Sequence, residues 1–94
     1  MNEVFKPPPT ELTVYTADEK ELLAKLEAGH PVIWSEFDPK QRRILWFKSQ
    51  KRGKEYVTVI GTSEKTLEKN WRLAHERGFY RDDHGRRVTI PGAR

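Results

Sequence analysis

VIWSEFDPKQRRILWFKSQKRGKEYVTVIG, residues 32–61, decides the fold. Three runs rich in β-branched and aromatic residues are separated by Asp38-Pro39-Lys40-Gln41 and by Lys51-Arg52-Gly53-Lys54. Proline fixes φ at the second position of the first turn, aspartate suits its first position, and Gly53 can take positive φ in the second turn. The stretch predicts three consecutive antiparallel strands, Val32–Phe37, Arg42–Ser49 and Glu55–Ile60. Closing these turns puts Ile33, Phe37, Ile44, Trp46, Val57 and Val59 on one face. The other face takes Val32, Trp34, Leu45, Phe47, Tyr56 and Ile60, with Glu36, Arg43, Ser49 and Thr58 among them. A slip of one residue in either turn would exchange the two sets. Neither set alternates as a half-wet sheet does, so either helices or tails cover both faces or one face awaits a partner.

Before this stretch, Leu12–Tyr15 predicts a short strand. Thr16-Ala17-Asp18-Glu19 reads as a capping box that opens a helix to about Ala28, with Gly29 at the left-handed position beyond it. The apolar stripe of that helix is Leu22, Leu23 and Leu26. On the other side, a second helix starts at Thr62 or Ser63 and stops at Gly78. Phe79–Arg81 and Arg87–Ile90 then flank a loop containing Gly85, which predicts a hairpin, and Pro91-Gly92 ends regular structure. Residues 1–9, with Pro7, Pro8 and Pro9, form an arm, and 10–94 form a single domain. The expected fold is α+β: a three-stranded antiparallel sheet with two helices, a short N-terminal strand and a C-terminal β-hairpin.

Ninety-four residues without cysteine exclude a disulfide scaffold and any thiolate chemistry. The opening MNEVFKPPPTEL lacks the apolar core of a leader, and no run approaches a bilayer span, so a soluble cytoplasmic protein with no membrane partner is expected. The net charge of +4 conceals a polarity. Residues 1–41 carry four basic and eight acidic side chains, a net of −4; residues 42–94 carry fourteen and six, a net of +8. Any polyanion therefore meets the second half.

Four features refine that expectation. Lys48, Lys51, Arg52 and Lys54 crowd the tip of the central hairpin. On the second helix Leu67, Trp71 and Ala74 face inward, which places Lys65, Lys69 and Arg72 on the opposite side, where a cationic row can lie along phosphates and release their counterions. The following hairpin adds Arg81, Arg86, Arg87 and then Arg94, although Asp82 and Asp83 at its tip repel phosphate unless Arg86 or Arg87 neutralises them. Trp34, Phe47 and Tyr56 form a candidate stacking or partner face, since bases stack on flat rings. The helix row and the aromatics also have plain structural alternatives, a solvated helix face and rings packed in the core.

The order helix, three antiparallel strands, helix is similar to that of double-stranded-RNA-binding domains, with Lys65 and Lys69 near the start of the last helix. The histidine-bearing loop of that family is replaced here by Asp38-Pro39-Lys40-Gln41, and Gly61-Thr62-Ser63-Glu64-Lys65 matches its small-residue and lysine run only loosely. Three strands followed by a helix also resemble the sheet-reading DNA modules of the plant AP2 type. No motif carries either comparison.

The sequence has no phosphate-cradling glycine loop, nucleophile elbow or zinc-ligand spacing, so no cofactor, metal or catalytic residue is expected. The leading expectation is a small nucleic-acid-binding protein, for instance a regulator encoded by a phage or mobile element. It would grip backbone through Lys48, Lys51, Arg52, Lys54, Lys65, Lys69, Arg72, Arg86 and Arg87. The alternative is a protein-interaction module, such as an inhibitor or accessory subunit of a larger enzyme. A toxin-like ribonuclease using His75 or His84 is a third reading.

Overall fold

A computed structural model describes residues 13–90. The arm at 1–9, Leu12, Pro91-Gly92 and Arg94 lie outside the described residues. The elements in chain order are β1 (Val14–Tyr15), α1 (Glu19–Glu27), β2 (Val32–Asp38), β3 (Arg43–Arg52), β4 (Glu55–Gly61), α2 (Glu64–Arg77), β5 (Phe79–Arg81) and β6 (Arg87–Thr89). The fold is α+β, with two helices, a mixed sheet in the order β1-β2-β3-β4, and a separate β5-β6 ribbon.

The expected three-stranded sheet is thus enlarged to four, because the N-terminal strand joins it. β1 pairs parallel to β2, with Val14 beside Val32 and Tyr15 beside Ile33. The helical connection through α1 brings the chain back in the same direction, as a parallel pair requires. The central hairpins keep the predicted faces: Trp34 pairs with Phe47, which pairs with Ile60, and Ile33 pairs with Lys48, which pairs with Val59.

The second turn is shorter than the sequence suggests. Arg52 pairs with Glu55, leaving a two-residue loop in which Gly53 supplies a φ of +63°. Lys51 and Arg52 are therefore strand residues whose side chains leave opposite faces of the sheet. The first turn ends on Arg42 at a φ of +55°, a left-handed conformation that favours asparagine or glycine. Arg42→Asn is expected to raise stability by about 0.5 kcal/mol; a urea midpoint at or below the parent's contradicts that.

A helix packs against each face, which explains much of the missing alternation, while Phe37 and Ile44 on one face and Tyr56 and Ile60 on the other stay exposed. α2 lies on the Ile33 face, where Leu67 and Ala74 join Ile33, Val57, Val59, Tyr80 and Ile90 in the buried core, with Trp71 packed against it. α1 lies on the other face, where Leu26, Val32 and Ser49 are buried and Glu27 bonds Lys51 and Tyr56. Leu22 is half-buried but Leu23 is 57 % exposed, so the predicted stripe of α1 narrows to Leu22 and Leu26, one turn apart.

The cap of α1 also differs from the capping box. The Thr16 amide still donates to Ile33 O at 3.2 Å, which keeps Thr16 at the end of β1. Asp18 takes the cap instead, its carboxylate accepting from the Lys20 amide at 3.0 Å. The far end closes with Gly29 N–H on Leu26 O and His30 N–H on Lys25 O, with Gly29 at a φ of +91°. α2 begins on Ser63, whose hydroxyl accepts from the Thr66 amide, and ends on Gly78 at a φ of +83°.

Candidate nucleic-acid interface

α2 positions the cationic row. Its period buries Leu67 and Ala74 completely and leaves Lys65, Lys69 and Arg72 exposed on the outer side, around a shallow depression that also touches Thr66 and Glu68.

Behind the helix, two side chains close the outer edge of β4. Tyr80 Oη accepts from the Ile60 amide at 3.2 Å, and Asn70 Nδ2 donates to Ile60 O at 3.0 Å. Both backbone groups of Ile60 are thus engaged, and the β5-β6 ribbon is tied to the sheet. Burial pushes the Tyr80 phenol above its ordinary pKa. A cleft of about 520 Å³ remains between α2, the tip of the ribbon and the start of β3. Lys69, Arg43, Arg81 and His84 line it, so Lys69 belongs both to the outer row and to the cleft.

The acidic residues of the ribbon tip are occupied. Asp82 Oδ1 accepts from the amides of His84 and Arg86, at 2.9 and 2.8 Å, and so shapes the loop. Asp83 pairs with Arg43 Nη2 at 2.6 Å. The neutralising partner is therefore Arg43 rather than Arg86 or Arg87. Arg43's hydrogen bond holds the Asp83 carboxyl below the usual carboxylate range. Its folded-state pKa is depressed, so the pair contributes stability that is fully present above the ordinary carboxylate pKa and is lost as pH falls through the lower folded-state value.

The remaining cations are divided. Lys48 is 5 % exposed; its ammonium sits 2.9 Å from Glu68 Oε1 and 4.8 Å from the centroid of Trp71. It belongs to the packing between α2 and the sheet and has no route to a phosphate. Lys51 bonds Glu27 at 2.8 Å on the α1 face. Glu27 is held below its ordinary pKa by hydrogen bonds from Lys51 and Tyr56, and Lys51 is raised by the same contact. Arg52 and Lys54 are exposed at the hairpin tip. That tip and the cleft stand at opposite ends of β4, separated by about 20 Å at roughly 3.3 Å per residue. Arg86 is exposed, and Arg87 lies 4.0 Å over the Phe79 ring.

The structure therefore brings together Lys65, Lys69 and Arg72 and links them through the cleft to Arg43 and Arg81. It separates them from Lys51, Arg52 and Lys54. Lys48→Met, which keeps the stem against Trp71, is expected to leave polyanion affinity within about twofold of the parent. Glu68→Ala strands the buried ammonium and should lower stability by about 1–2 kcal/mol in a urea titration. A marked loss of binding in Lys48→Met would return that lysine to the interface.

The aromatic set also divides. Trp34 and Phe47 stack with centroids 5.2 Å apart and planes 8° apart. Tyr56 stands further along the sheet, donating its hydroxyl to Glu27, which raises its pKa. His84 is at the cleft rim, 3.9 Å from Asp83. His75 lies against Trp71, and since a carbonyl only accepts, its Nδ1 carries the proton donated to Trp71 O at 2.8 Å.

The sequence reading missed Arg43 and its contact across forty residues to Asp83. A local signal did exist: Arg43 opens β3 opposite Asp38, at the end of β3 that β4 does not reach. No family model, curated protein or solved structure matches the chain.

Proposed function

We propose that this protein binds the phosphate backbone of nucleic acid along the outer face of α2. Lys65, Lys69 and Arg72 supply the row, and Arg81, Arg86 and Arg87 of the adjoining ribbon extend it. The observation that supports this reading is the double placement of Lys69, which continues the helix row into the cleft beside Arg81 and Arg43. The nearby carboxylates of Asp82 and Asp83 are already bonded within the protein, which lessens their repulsion of phosphate. Bases need not be read for such a grip; contacts to phosphate set position and register.

Fluorescence anisotropy with labelled DNA duplex, single-stranded DNA and double-stranded RNA tests the reading. Saturable binding that weakens steeply between low and moderate salt is the expected result. Asp83→Asn, which removes a carboxylate from the cleft, is expected to tighten binding by roughly threefold at low salt. Salt-insensitive binding, or no binding to any of the three, contradicts the proposal.

A further inference from the structure

The acidic half of the molecule carries an open sheet edge. β1 pairs with β2 only at Val32 and Ile33, and after Tyr15 the chain turns away into α1. β2 continues to Asp38. Pro31 O and Ile33 O point outward and accept from Val14 and Thr16. Alternate residues of a strand point their backbone groups the same way, so the amides and carbonyls of Ser35 and Phe37 also point outward. Among the described residues no strand covers them.

Two grooves flank this edge, of about 270 and 290 Å³, and both include Trp34 and Ser35. The first lies on the α1 face. It is lined by Asp18, Glu19, Glu36, Leu22 and the Trp34 ring. One face of Trp34 is stacked on Phe47 of β3, so its other face looks toward the open edge, and Glu36 accepts from Trp34 Nε1 at 2.9 Å. An indole face among three carboxylates is a receptor for a cationic side chain. The second groove lies on the α2 face and is lined by Tyr15, Ile33 and Trp46. Phe37, 63 % exposed, stands beyond it on the same face. The groove's large side chains are apolar, beside the hydroxyls of Thr16 and Ser35.

We propose that the free edge of β2 binds an extended peptide as an added strand, with an arginine or lysine in the acidic Trp34 groove and apolar residues on either side of it in the Tyr15–Trp46 groove. Successive side chains of an added strand point to opposite faces, so the alternation of charge and apolar character in the ligand follows from the two grooves. The backbone of Ser35 and Phe37 supplies the hydrogen bonds. This site is on the opposite, acidic part of the chain from the α2 row and does not depend on the polyanion reading.

The test titrates the full chain with the peptide acetyl-Thr-Val-Arg-Val-Thr-amide, with the same peptide carrying glutamate for arginine, and with an arginine peptide N-methylated along its backbone. Tryptophan fluorescence and amide exchange at Ser35 and Phe37 are read. The expected result is saturable binding of the arginine peptide, roughly tenfold tighter than the glutamate peptide. The N-methylated peptide should not bind, and the Ser35 and Phe37 amides should gain protection. Ser35→Pro removes an outward N–H that no ladder among the described residues uses and is expected to abolish binding. If that variant does not fold, Glu36→Lys is used instead and should reverse the preference toward the glutamate peptide. Equal binding of both charged peptides, or no binding, overturns the proposal. So does protection of Ser35 and Phe37 in the free chain that rises with protein concentration or vanishes on deleting residues 1–12, because a second copy or the chain's own arm would then hold the edge.

Discussion

Gly61→Ala is expected to destabilise the domain by about 3 kcal/mol, lowering the melting temperature by roughly 12–24 °C. Gly61 ends β4 on the Ile33 face, opposite Trp46, where the first turns of α2 cross the sheet. A Cβ placed there would lie 2.5 Å from Leu67 N and 2.7 Å from Leu67 Cα. Those are helix backbone atoms, so no side-chain rotation relieves the overlap. Either α2 lifts off the sheet or β4 gives up its last pairing, and each exposes Leu67, which is now wholly buried. The conformation of Gly61 is not the cause, since its φ is not positive. Gly53 provides the contrast: it has a φ of +63° and nothing within 4 Å of an added Cβ. Gly53→Asn should therefore cost less than about 1 kcal/mol, because asparagine tolerates the left-handed region. Thermal melts of the two variants separate the mechanisms. Equal losses, or a Gly61→Ala melt within a few degrees of the parent, contradict the close approach of β4 and α2.

The parts of the fold legible in the sequence are those fixed by neighbours along the chain. The three central strands and their faces follow from turn residues and a period of two, and the buried row of α2 follows from a period of 3.6. Gly78 and Ser63 mark the ends of α2 as expected. The parallel pairing of β1 was not legible, because a strand of two residues carries no pattern and its partner is chosen by the path of α1. Thr16 and Asp18 are both good cap residues, and only the tertiary bond from the Thr16 amide to Ile33 decides between them. The site divides in the same way. The row of Lys65, Lys69 and Arg72 could be read from helical spacing. The tip cluster could not be read correctly, because one shortened turn places Lys51 and Arg52 in a strand and sends them to opposite faces. Lys48 has the same backbone period as its apolar neighbours, and composition does not say that Glu68 and Trp71 await its ammonium.

Replacing Lys65, Lys69 and Arg72 together with alanine is the change with the largest expected effect on binding. All three side chains are exposed, and none of them forms an ion pair among the described residues. Alanine is the best helix former, so α2 and the core behind it should persist. If each cation neutralises one duplex phosphate, each contributes about 0.9 to the slope of log affinity against log salt. The triple variant should then lose up to about 2.7 of that slope, and roughly a hundredfold in affinity at low salt. The equivalent triple change at Lys51, Arg52 and Lys54 should alter affinity by no more than about threefold, since Lys51 is paired with Glu27 and the tip is remote from the cleft.

The decisive experiment on the α2 row is the salt dependence of duplex affinity, measured side by side for the parent and these two triple variants. If the row lies on phosphate, the slope flattens by two to three units, about one per cation, in the α2 variant alone. An unchanged slope in that variant, or a loss carried by the hairpin-tip variant instead, contradicts it.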